Sequence, residues 1–262
     1  MSNVILCNSD GRIIFAIPYE DKFTLVGTTD LELHFDCERA EPSDEEIGYL
    51  LDFINENFKK QTSRNEIVWA FAGIRPLIPS LNSKAQEVSR DFTSVVIDEP
   101  KNGKCIHVLG GKLTTYRELS EKISNSVVNL LGFGGKAWTK STTLPGGDVP
   151  TEDKNTWVIK IKQKYNFLPD FCLRRLLRNY GSDISLLLKE VSRLEDMGTH
   201  LGLGLYAKEV DFLWKYEWAR TAEDILWRRT KLGLHDSSGD LTRTLVDFLE
   251  TIQKVDDDKN EN

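Results

Sequence analysis

The stretch HVLGGKLTTYRE, residues 107–118, decides how the first half of this chain is organised. It passes from an apolar, strand-like segment through two glycines and a lysine into a helix whose apolar positions recur at helical spacing from Tyr116. Thr115 and Glu118 have the spacing of a capping box, and Gly132 is a natural end for the helix. The sequence therefore predicts a strand, a Gly-Gly-Lys turn and a helix in direct succession.

Such a turn suits a ligand with negative charge. A helix N-terminus carries unpaired N–H groups and the positive end of the helix dipole, and Gly110 and Gly111 would let a ligand approach the backbone closely. A tight turn with an exposed Lys112 and no ligand is the alternative interpretation. A Walker-type phosphate loop is excluded, because Ile106 stands in place of its first glycine and Leu113 in place of the residue that would bind magnesium.

The segments before this stretch predict a sheet covered by one helix. Runs rich in β-branched and aromatic residues begin at residues 12, 22, 67 and 92 and read RIIFAI, KFTLVGT, IVWAFAG and FTSVVID. Ser43 and Glu46 have capping-box spacing at the start of a helical apolar pattern. The Asn-Gly turn signal at 102–103 predicts that FTSVVID and CIHVL form a hairpin, with Cys105 as a core residue of its second strand.

The second half of the chain has a different pattern. The polar, breaker-rich segment 136–150 predicts a linker between a mixed region, residues 1–135, and a helical region, residues 151–262. Helical apolar spacing recurs in the second region, for example in DFCLRRLLRNYG and LTRTLVDFLETIQKV. We therefore expect an α+β chain in which a β-rich region is followed by an all-α C-terminal domain of about four to six helices.

The composition excludes several classes of protein. The chain has 262 residues, of which 41 are acidic and 34 basic, and its formal charge is −7. An acidic chain lacks a general nucleic-acid footprint, so any anion site must be local. The four cysteines are far apart and the four histidines lack metal spacing, so neither disulfides nor a metal site are expected. No apolar run reaches the roughly 20 residues of a membrane span and no signal core is visible, which predicts a cytoplasmic protein.

Two arginines and one lysine are the candidate anion ligands. Arg75 lies in FAGIRPLIP, after a predicted strand and before a proline that stiffens the backbone, and Arg90 opens the strand FTSVVID. Strand ends on one edge of a sheet can converge, and with Lys112 the two arginines would form a cationic cluster suited to a phosphate or carboxylate. Taken singly, each is better explained as an ordinary surface residue.

Six segments of the chain, taken in order, resemble one family of flavoproteins. The segments are GRIIFAIPYEDKFTLVGTTD, WAFAGIRPL, SRDFTSVVID, VLGGKLTTYRELSEKI, TTLPGGD and ARTAEDILWRRTKLGL. Together they are similar to the C-terminal portion of bacterial FAD-dependent glycerol-3-phosphate dehydrogenases, and they span nearly the whole chain. The resemblance implies an amino-acid-oxidase-like fold, in which an FAD domain is interleaved with a β-rich substrate domain and followed by a helical domain.

The resemblance also implies roles for individual residues. The implied FAD contacts near the isoalloxazine are Gly110, Gly111, Leu113 and Thr114. There the helix N-terminus would stabilise negative charge on the reduced flavin. The implied substrate contacts, which would bind the oxygens of glycerol 3-phosphate, are Arg75, Arg90 and Lys112.

The implied reaction oxidises sn-glycerol 3-phosphate to dihydroxyacetone phosphate, with FAD as hydride acceptor and a quinone as the next electron acceptor. No general base is identified, because His107 lies too close to the turn for a role to be assigned. The resemblance is compatible with a homodimer. It is also compatible with a peripheral position at the inner face of the cytoplasmic membrane, reached through the part of the enzyme outside this chain.

The chain departs from the family by an absence. A complete member begins with a strand and a G-x-G-x-x-G loop that holds the FAD pyrophosphate, and nothing of that kind precedes Gly11. We therefore expect a fragment that neither retains FAD nor catalyses the reaction by itself. Two alternatives stay open: another amino-acid-oxidase-like flavoprotein that acts on amino acids, and a helical domain that serves as an interaction or dimerisation module.

Overall fold

A computed structural model describes residues 4–31, 40–75, 91–99, 103–150 and 152–260. The backbone divides into two units between Thr142 and Thr143. This boundary falls inside the segment 136–150 that we interpreted as a linker, while the domain limits 1–135 and 151–262 stay predictions.

The first unit begins with a three-stranded antiparallel sheet in the order β1-β2-β3. Its strands are β1 (Val4–Cys7), β2 (Ile13–Tyr19) and β3 (Phe23–Gly27). Along β2, Ile14 and Ala16 are buried whereas Ile13 and Phe15 are exposed, which is the period of two expected when one face of a sheet is covered. The predicted strands RIIFAI and KFTLVGT are confirmed as β2 and β3.

Helix α1 (Asp44–Asn57) begins at the predicted capping box. The Ser43 hydroxyl accepts a hydrogen bond from the Glu46 N–H at 3.2 Å, and the Glu46 carboxylate accepts one from the Ser43 N–H at 3.0 Å. The helix buries Phe53, and the Tyr49 hydroxyl accepts a hydrogen bond of 2.8 Å from the Asn8 amide beyond the end of β1. These contacts tie α1 to the sheet.

The predicted hairpin and the helix after it are confirmed. Strands β4 (Phe92–Glu99) and β5 (Gly103–Gly110) pair antiparallel with Val96 opposite Ile106. Helix α2 (Tyr116–Leu131) follows and ends at Gly132, whose φ of 71° is left-handed. The order of strand, glycine turn and helix is therefore the one that the sequence predicts.

The hairpin leaves apolar side chains exposed on both of its faces. Val95 and Val96 are neighbours and so point to opposite faces, yet 48% and 45% of their surfaces remain exposed. Cys105 is also exposed, so its assignment to the core is wrong. The sequence pattern correctly marked an apolar strand, but burial also requires a second layer, and the described residues of this unit do not provide one for the hairpin.

The predicted strand IVWAFAG is wrong. Residues 67–73 have no regular structure in the described part of the chain, although Trp69 and Phe71 stack with their ring centroids 4.5 Å apart. Its β-branched and aromatic residues favour an extended backbone, but a strand also needs a hydrogen-bonded neighbour. No strand among the described residues pairs with this segment.

The second unit is mainly helical. Its helices are α3 (Lys154–Lys164), α4 (Asp170–Tyr180), the short α5 (Ile184–Leu187), α6 (Ala207–Glu217), a π-helical segment (Asp224–Arg229) and α7 (Asp240–Asn260). A small hairpin of β6 (His200–Gly202) and β7 (Leu205–Tyr206) precedes α6. The all-α prediction is wrong in this detail. The hairpin was missed because strands of two and three residues are too short to show a period of two in the sequence.

The helical unit has its own continuous apolar core. The core joins buried leucines of α4, α6 and α7, among them Leu176, Leu213 and Leu245, each with no exposed surface. In the first unit, by contrast, the buried apolar residues are Ile14, Ala16 and Phe53 of the described residues. The second unit therefore holds most of the hydrophobic stabilisation of the described chain.

A buried ion pair lies inside this core. Arg175 of α4 donates two hydrogen bonds to the Glu209 carboxylate of α6, at 2.5 Å and 2.6 Å, and one to the Gly204 carbonyl at 2.9 Å. The Tyr180 hydroxyl donates to the same carboxylate at 2.8 Å. Burial raises the pKa of Tyr180, as does the neighbouring Glu209, and burial raises the pKa of the Cys172 thiol to about 11. These groups are held for structure, since neither the phenol nor the thiol ionises near neutral pH.

Removing one partner of this pair should destabilise the helical unit strongly. Glu209→Gln leaves the Arg175 charge buried without a counter-charge, so we expect the free energy of unfolding to fall by about 3–5 kcal/mol. Replacing both residues with methionine should recover much of that loss, because no lone charge is then buried. Urea denaturation measures both, with Arg174→Ala, which breaks an exposed pair with Asp170, as the matched control. Equal stability of Glu209→Gln and the control would contradict the role of the pair.

Two glycines join the segment TTLPGGD to the helical unit. The Ser182 N–H donates a hydrogen bond of 3.0 Å to the Gly146 carbonyl. Gly181 has a φ of 52°, and a Cβ atom added to it would lie 2.1 Å from the Gly146 oxygen. Only glycine fits at this close approach of two backbones.

Gly181→Ala should therefore destabilise the helical unit by about 2–4 kcal/mol, because it adds both a backbone clash and an unfavourable φ. Gly135→Ala is the control, since a Cβ at Gly135 meets open space. Thermal unfolding followed by circular dichroism reports the difference. Equal melting temperatures for the two variants would show that the close approach does not exist in solution.

Candidate functional site

The turn between β5 and α2 has the bare, left-handed backbone that its glycines predict. Gly110 has a φ of 71° and Gly111 a φ of 100°. A Cβ atom at Gly111 would lie 3.3 Å from the Phe92 Cβ, so the turn packs closely on the first residue of β4. On the outer side, Leu113 is 88% exposed and Thr114 is exposed as well. The turn thus presents backbone and one apolar side chain outward.

The start of α2 differs from the prediction. Thr115 is the residue before the helix, but it makes no capping hydrogen bond, and its hydroxyl donates instead to the Lys112 carbonyl at 3.0 Å. Residues Leu113–Thr115 form a 3₁₀ turn that brings Thr115 into a nearly helical conformation, so its side chain bonds backward. The capping box with Glu118 is therefore wrong. The N–H groups of the first turn gain no side-chain partner from Thr115.

Arg75 lies at a cavity of the first unit. The cavity has a volume of about 330 Å³ and is lined by Ile13 and Phe15 of β2, by the two residues before that strand, and by Thr28, Asp30 and Arg75. The Arg75 guanidinium donates a hydrogen bond of 2.8 Å from Nη1 to Oδ2 of Asp30. Two cationic groups, one carboxylate, a hydroxyl and two apolar side chains therefore surround one space, which is a composition suited to a small polar anion.

Arg12 is a second cation of this cavity, and it was not among the predicted anion ligands. Its guanidinium pairs with Asp10 at 2.9 Å and lies 4.3 Å from the centroid of the Tyr49 ring. A hydrogen bond from the Arg12 N–H lowers the pKa of Asp10, and so does one from the Tyr49 hydroxyl. The criterion that selected Arg90, an arginine at the start of a strand, applies equally to Arg12 in GRIIFAI.

The segment between β3 and α1 carries a further fixed contact. The Thr29 hydroxyl donates a hydrogen bond to the Glu46 carboxylate, which also caps α1. The pKa of Glu46 is lowered mainly by the hydrogen bond from the Ser43 N–H and to a smaller extent by the one from the Thr29 hydroxyl. The neighbours of Thr29 in sequence, Thr28 and Asp30, both line the cavity. The N-terminus of α1 therefore fixes, through Thr29, the backbone next to Asp30, and the Asp30 carboxylate accepts the hydrogen bond from Arg75.

The three predicted anion ligands are only partly located. Arg90 lies outside the described residues. Lys112 is exposed beside the glycine turn, and it is not among the described residues that line the cavity of Arg75. His107 lies in β5 opposite Val95 with its side chain exposed, and it gains no role from this position. Convergence of Arg75, Arg90 and Lys112 stays a prediction.

The described residues contain no other site with clear chemistry. They include no group of three His, Cys, Asp or Glu side chains able to hold a metal ion. A second cavity of about 330 Å³ in the helical unit is lined by residues 201–203 and by the start of α7, and its Asp236 carboxylate accepts the N–H groups of Leu241 and Thr242. That carboxylate is occupied in capping α7. Among the helices described, none has both the length and the apolar character of a membrane span.

Two family models match the chain in succession. The model for FAD dependent oxidoreductases matches residues 2–143, and the model for the C-terminal domain of alpha-glycerophosphate oxidase matches residues 137–260. The two matches change over near Thr142, where the structure divides into its two units.

Curated relatives align with nearly the whole chain. The aerobic glycerol-3-phosphate dehydrogenase of Escherichia coli (strain K12) is 38% identical over 247 residues, which are 93% of this chain and 49% of that protein. The glycerol-3-phosphate dehydrogenase of Pseudomonas aeruginosa is 42% identical over 88% of this chain and 45% of that protein. The D-erythritol 1-phosphate dehydrogenase of Brucella abortus is 35% identical over 87% of this chain and 45% of that protein.

The chain spans about half the length of the curated relatives it matches. The match to the oxidoreductase model by itself covers more than half of the chain, and it includes both the glycine turn and the cavity of Arg75. The resemblance seen in the sequence is therefore confirmed, and the chain belongs to the FAD dependent oxidoreductase family.

Proposed function

We propose that this chain is the substrate-binding and C-terminal part of an FAD-dependent dehydrogenase that oxidises sn-glycerol 3-phosphate to dihydroxyacetone phosphate. The observation that carries the proposal is the similarity of nearly the whole chain, at 38% and 42% identity, to bacterial proteins named for that activity. The match to a model named for alpha-glycerophosphate oxidase supports a glycerol phosphate over an amino acid as substrate.

The glycine turn fits a flavin. Gly110 and Gly111 leave no Cβ atoms between a ligand and the backbone, and the N-terminus of α2 follows directly. The exposed Leu113 supplies apolar surface that suits an aromatic ring system, and Thr114 adds a hydroxyl. FAD, when bound, would supply the hydride acceptor, and these residues would hold its ring while the helix dipole favours negative charge beside it.

The exposed faces of the β4–β5 hairpin also support the proposal that a second half of the protein packs on this unit. Its exposed valines lie on both faces, and contiguous apolar surface of this kind marks an interface with further polypeptide. In the proposed enzyme an FAD-binding half packs on β4 and β5.

The chain's own task in the reaction is to bind and orient the substrate. Oxidation of the secondary alcohol removes a hydride from carbon and a proton from the hydroxyl group, and a C=O bond forms. Arg75, Arg90 and Lys112 would hold the phosphate and hydroxyl oxygens, which fixes the carbinol carbon relative to the hydride acceptor. The residue that takes the hydroxyl proton is not assigned.

A longer polyol phosphate is the second candidate substrate. The relative from Brucella abortus is named for D-erythritol 1-phosphate, and its identity to this chain is 35%, close to the 38% of the Escherichia coli enzyme. Both named substrates join a phosphate ester to a polyol, so the same cationic cluster serves either. The ratio of kcat/KM for the two substrates decides between them.

Several finer features belong to the proposal as predictions. The electron acceptor after FAD is a quinone, and the enzyme lies at the inner face of the cytoplasmic membrane through its other half. A homodimer and an interaction role for the helical unit stay open. Light scattering of the assembled enzyme would measure its mass and so test both.

The chain by itself should carry no flavin. Its turn contacts the ring of FAD in the proposal, whereas the pyrophosphate is held by a loop in the other half, so most of the binding energy is absent. The purified chain should therefore show no visible flavin absorbance and no dehydrogenase activity. A yellow protein with one FAD per chain would contradict this expectation.

Replacing a phosphate-binding cation should lower turnover sharply. In the enzyme that joins this chain to its FAD-binding half, Arg75→Ala and Lys112→Ala should each reduce kcat/KM for glycerol 3-phosphate by about thirtyfold or more, because a charge-assisted contact is lost. FAD content should be preserved in Arg75→Ala, while Lys112→Ala also alters the flavin turn. Steady-state kinetics and flavin absorbance measure the two effects.

The control is Arg64→Ala, which removes an arginine paired with Asp44 on α1, outside the cavity, and should change kcat/KM little. Glycerol, which lacks the phosphate, gives the decisive comparison. If Arg75→Ala weakens turnover of glycerol and glycerol 3-phosphate by the same factor, Arg75 does not bind the phosphate.

A further inference from the structure

The Arg75–Asp30 pair differs from an ordinary surface ion pair in its surroundings. Both residues line the cavity, and their side chains are 42% and 27% exposed. Within the described part of the chain, Arg75 bonds to Asp30 through Nη1, and no hydrogen bond engages its Nε or Nη2. A guanidinium can form a bidentate contact through either of two edges, Nε with Nη2 or Nη1 with Nη2. An acceptor on Nη1 therefore leaves the Nε–Nη2 edge for a bidentate contact with an anion.

We infer that Asp30 is a positioning residue for anion binding: its carboxylate fixes the Arg75 guanidinium so that the Nε–Nη2 edge binds the phosphate of the substrate. The inference rests on the proposed function, in which Arg75 is a phosphate ligand. An arginine side chain carries large rotamer entropy, and holding it in one geometry before the ligand arrives reduces the entropy that binding has to overcome.

The backbone at Asp30 is held through the preceding residue, Thr29. The Thr29 hydroxyl donates to Glu46, and Glu46 is fixed at the start of α1 by the capping box. Helix α1 in turn contacts the sheet through Tyr49 and Asn8. The backbone beside Asp30 is therefore fixed by a hydrogen bond to the N-terminus of α1. A preformed site requires support of this kind behind its binding residues.

A carboxylate beside a phosphate-binding arginine has an opposing effect as well. Its negative charge repels the phosphate, so removing it could tighten binding by electrostatics alone. Asparagine and alanine separate the two effects. Asparagine removes the charge and keeps an oxygen that accepts the Nη1 hydrogen bond, whereas alanine removes both.

The test uses the enzyme that joins this chain to its FAD-binding half, with inorganic phosphate as a competitive inhibitor. Its inhibition constant reports phosphate binding without the chemical step. Asp30→Ala should raise that constant roughly three- to tenfold, in keeping with a partly exposed charged hydrogen bond. Asp30→Asn should stay near the unmodified enzyme, and FAD content and kcat should change little in either. Thr29→Val should raise the constant in the same direction by a smaller factor.

A double-mutant cycle distinguishes positioning from a general structural role. If Asp30 acts through Arg75, Asp30→Ala should have no further effect on the inhibition constant in the Arg75→Ala background. Asp44→Asn is the matched control, since it removes the carboxylate partner of Arg64 on the same unit and should leave the inhibition constant unchanged.

Three outcomes would overturn the inference while leaving the proposed function intact. These are tighter phosphate binding in both Asp30 variants, an unchanged constant in Asp30→Ala, and effects of Asp30→Ala and Arg75→Ala that simply multiply. If Asp30→Ala does not fold, an unchanged inhibition constant in Thr29→Val overturns the inference instead. An unchanged constant in Arg75→Ala alone is a different failure, because it removes the phosphate assignment of the proposed function and the inference with it.

Discussion

The left-handed backbone at Gly110 and Gly111 is the constraint on which the site of this protein depends. Gly110, with a φ of 71°, ends β5, and Gly111, with a φ of 100°, follows it and packs against Phe92 before the first turn of α2. A side chain at Gly111 would press on β4, so the turn cannot keep both its close packing and a bulkier residue. The same constraint keeps the backbone bare at the start of α2, where unpaired N–H groups and the helix dipole favour a ligand with negative charge.

Two charged pairs of the molecule lie in different environments. Arg75–Asp30 and Arg175–Glu209 are both arginine–carboxylate pairs, but the first borders a cavity open to water and the second lies inside an apolar core. In the core, an unpaired charge is so costly that the partners cannot separate. At the cavity, water competes with the carboxylate, and the arginine can share its donors with an incoming anion.

The site was predictable where its signals are local. The glycine turn, α2 and the capping box of α1 depend on residues within a few positions of one another, and all three were found where the sequence places them. The Thr115 capping box failed because a 3₁₀ turn intervened and redirected one hydroxyl. Arg12 had a local signal, because it precedes a strand as Arg90 does, but that signal was not applied to it. Asp30 was missed for another reason, since Arg75 and Asp30 are 45 positions apart and no short motif connects them.

The sequence by itself determined the family of this protein, the strands β2 and β3, the β4–β5 hairpin and the helical character of the second unit. These follow from local periodicity, from turn chemistry and from the order of six segments. Only the tertiary structure decided that residues 67–73 form no strand among the described residues, that Cys105 is exposed, and that Asp30 is the partner of Arg75. Strand pairing, burial and ion pairing depend on groups that are distant in the chain, and local pattern carries no information about which of them meet.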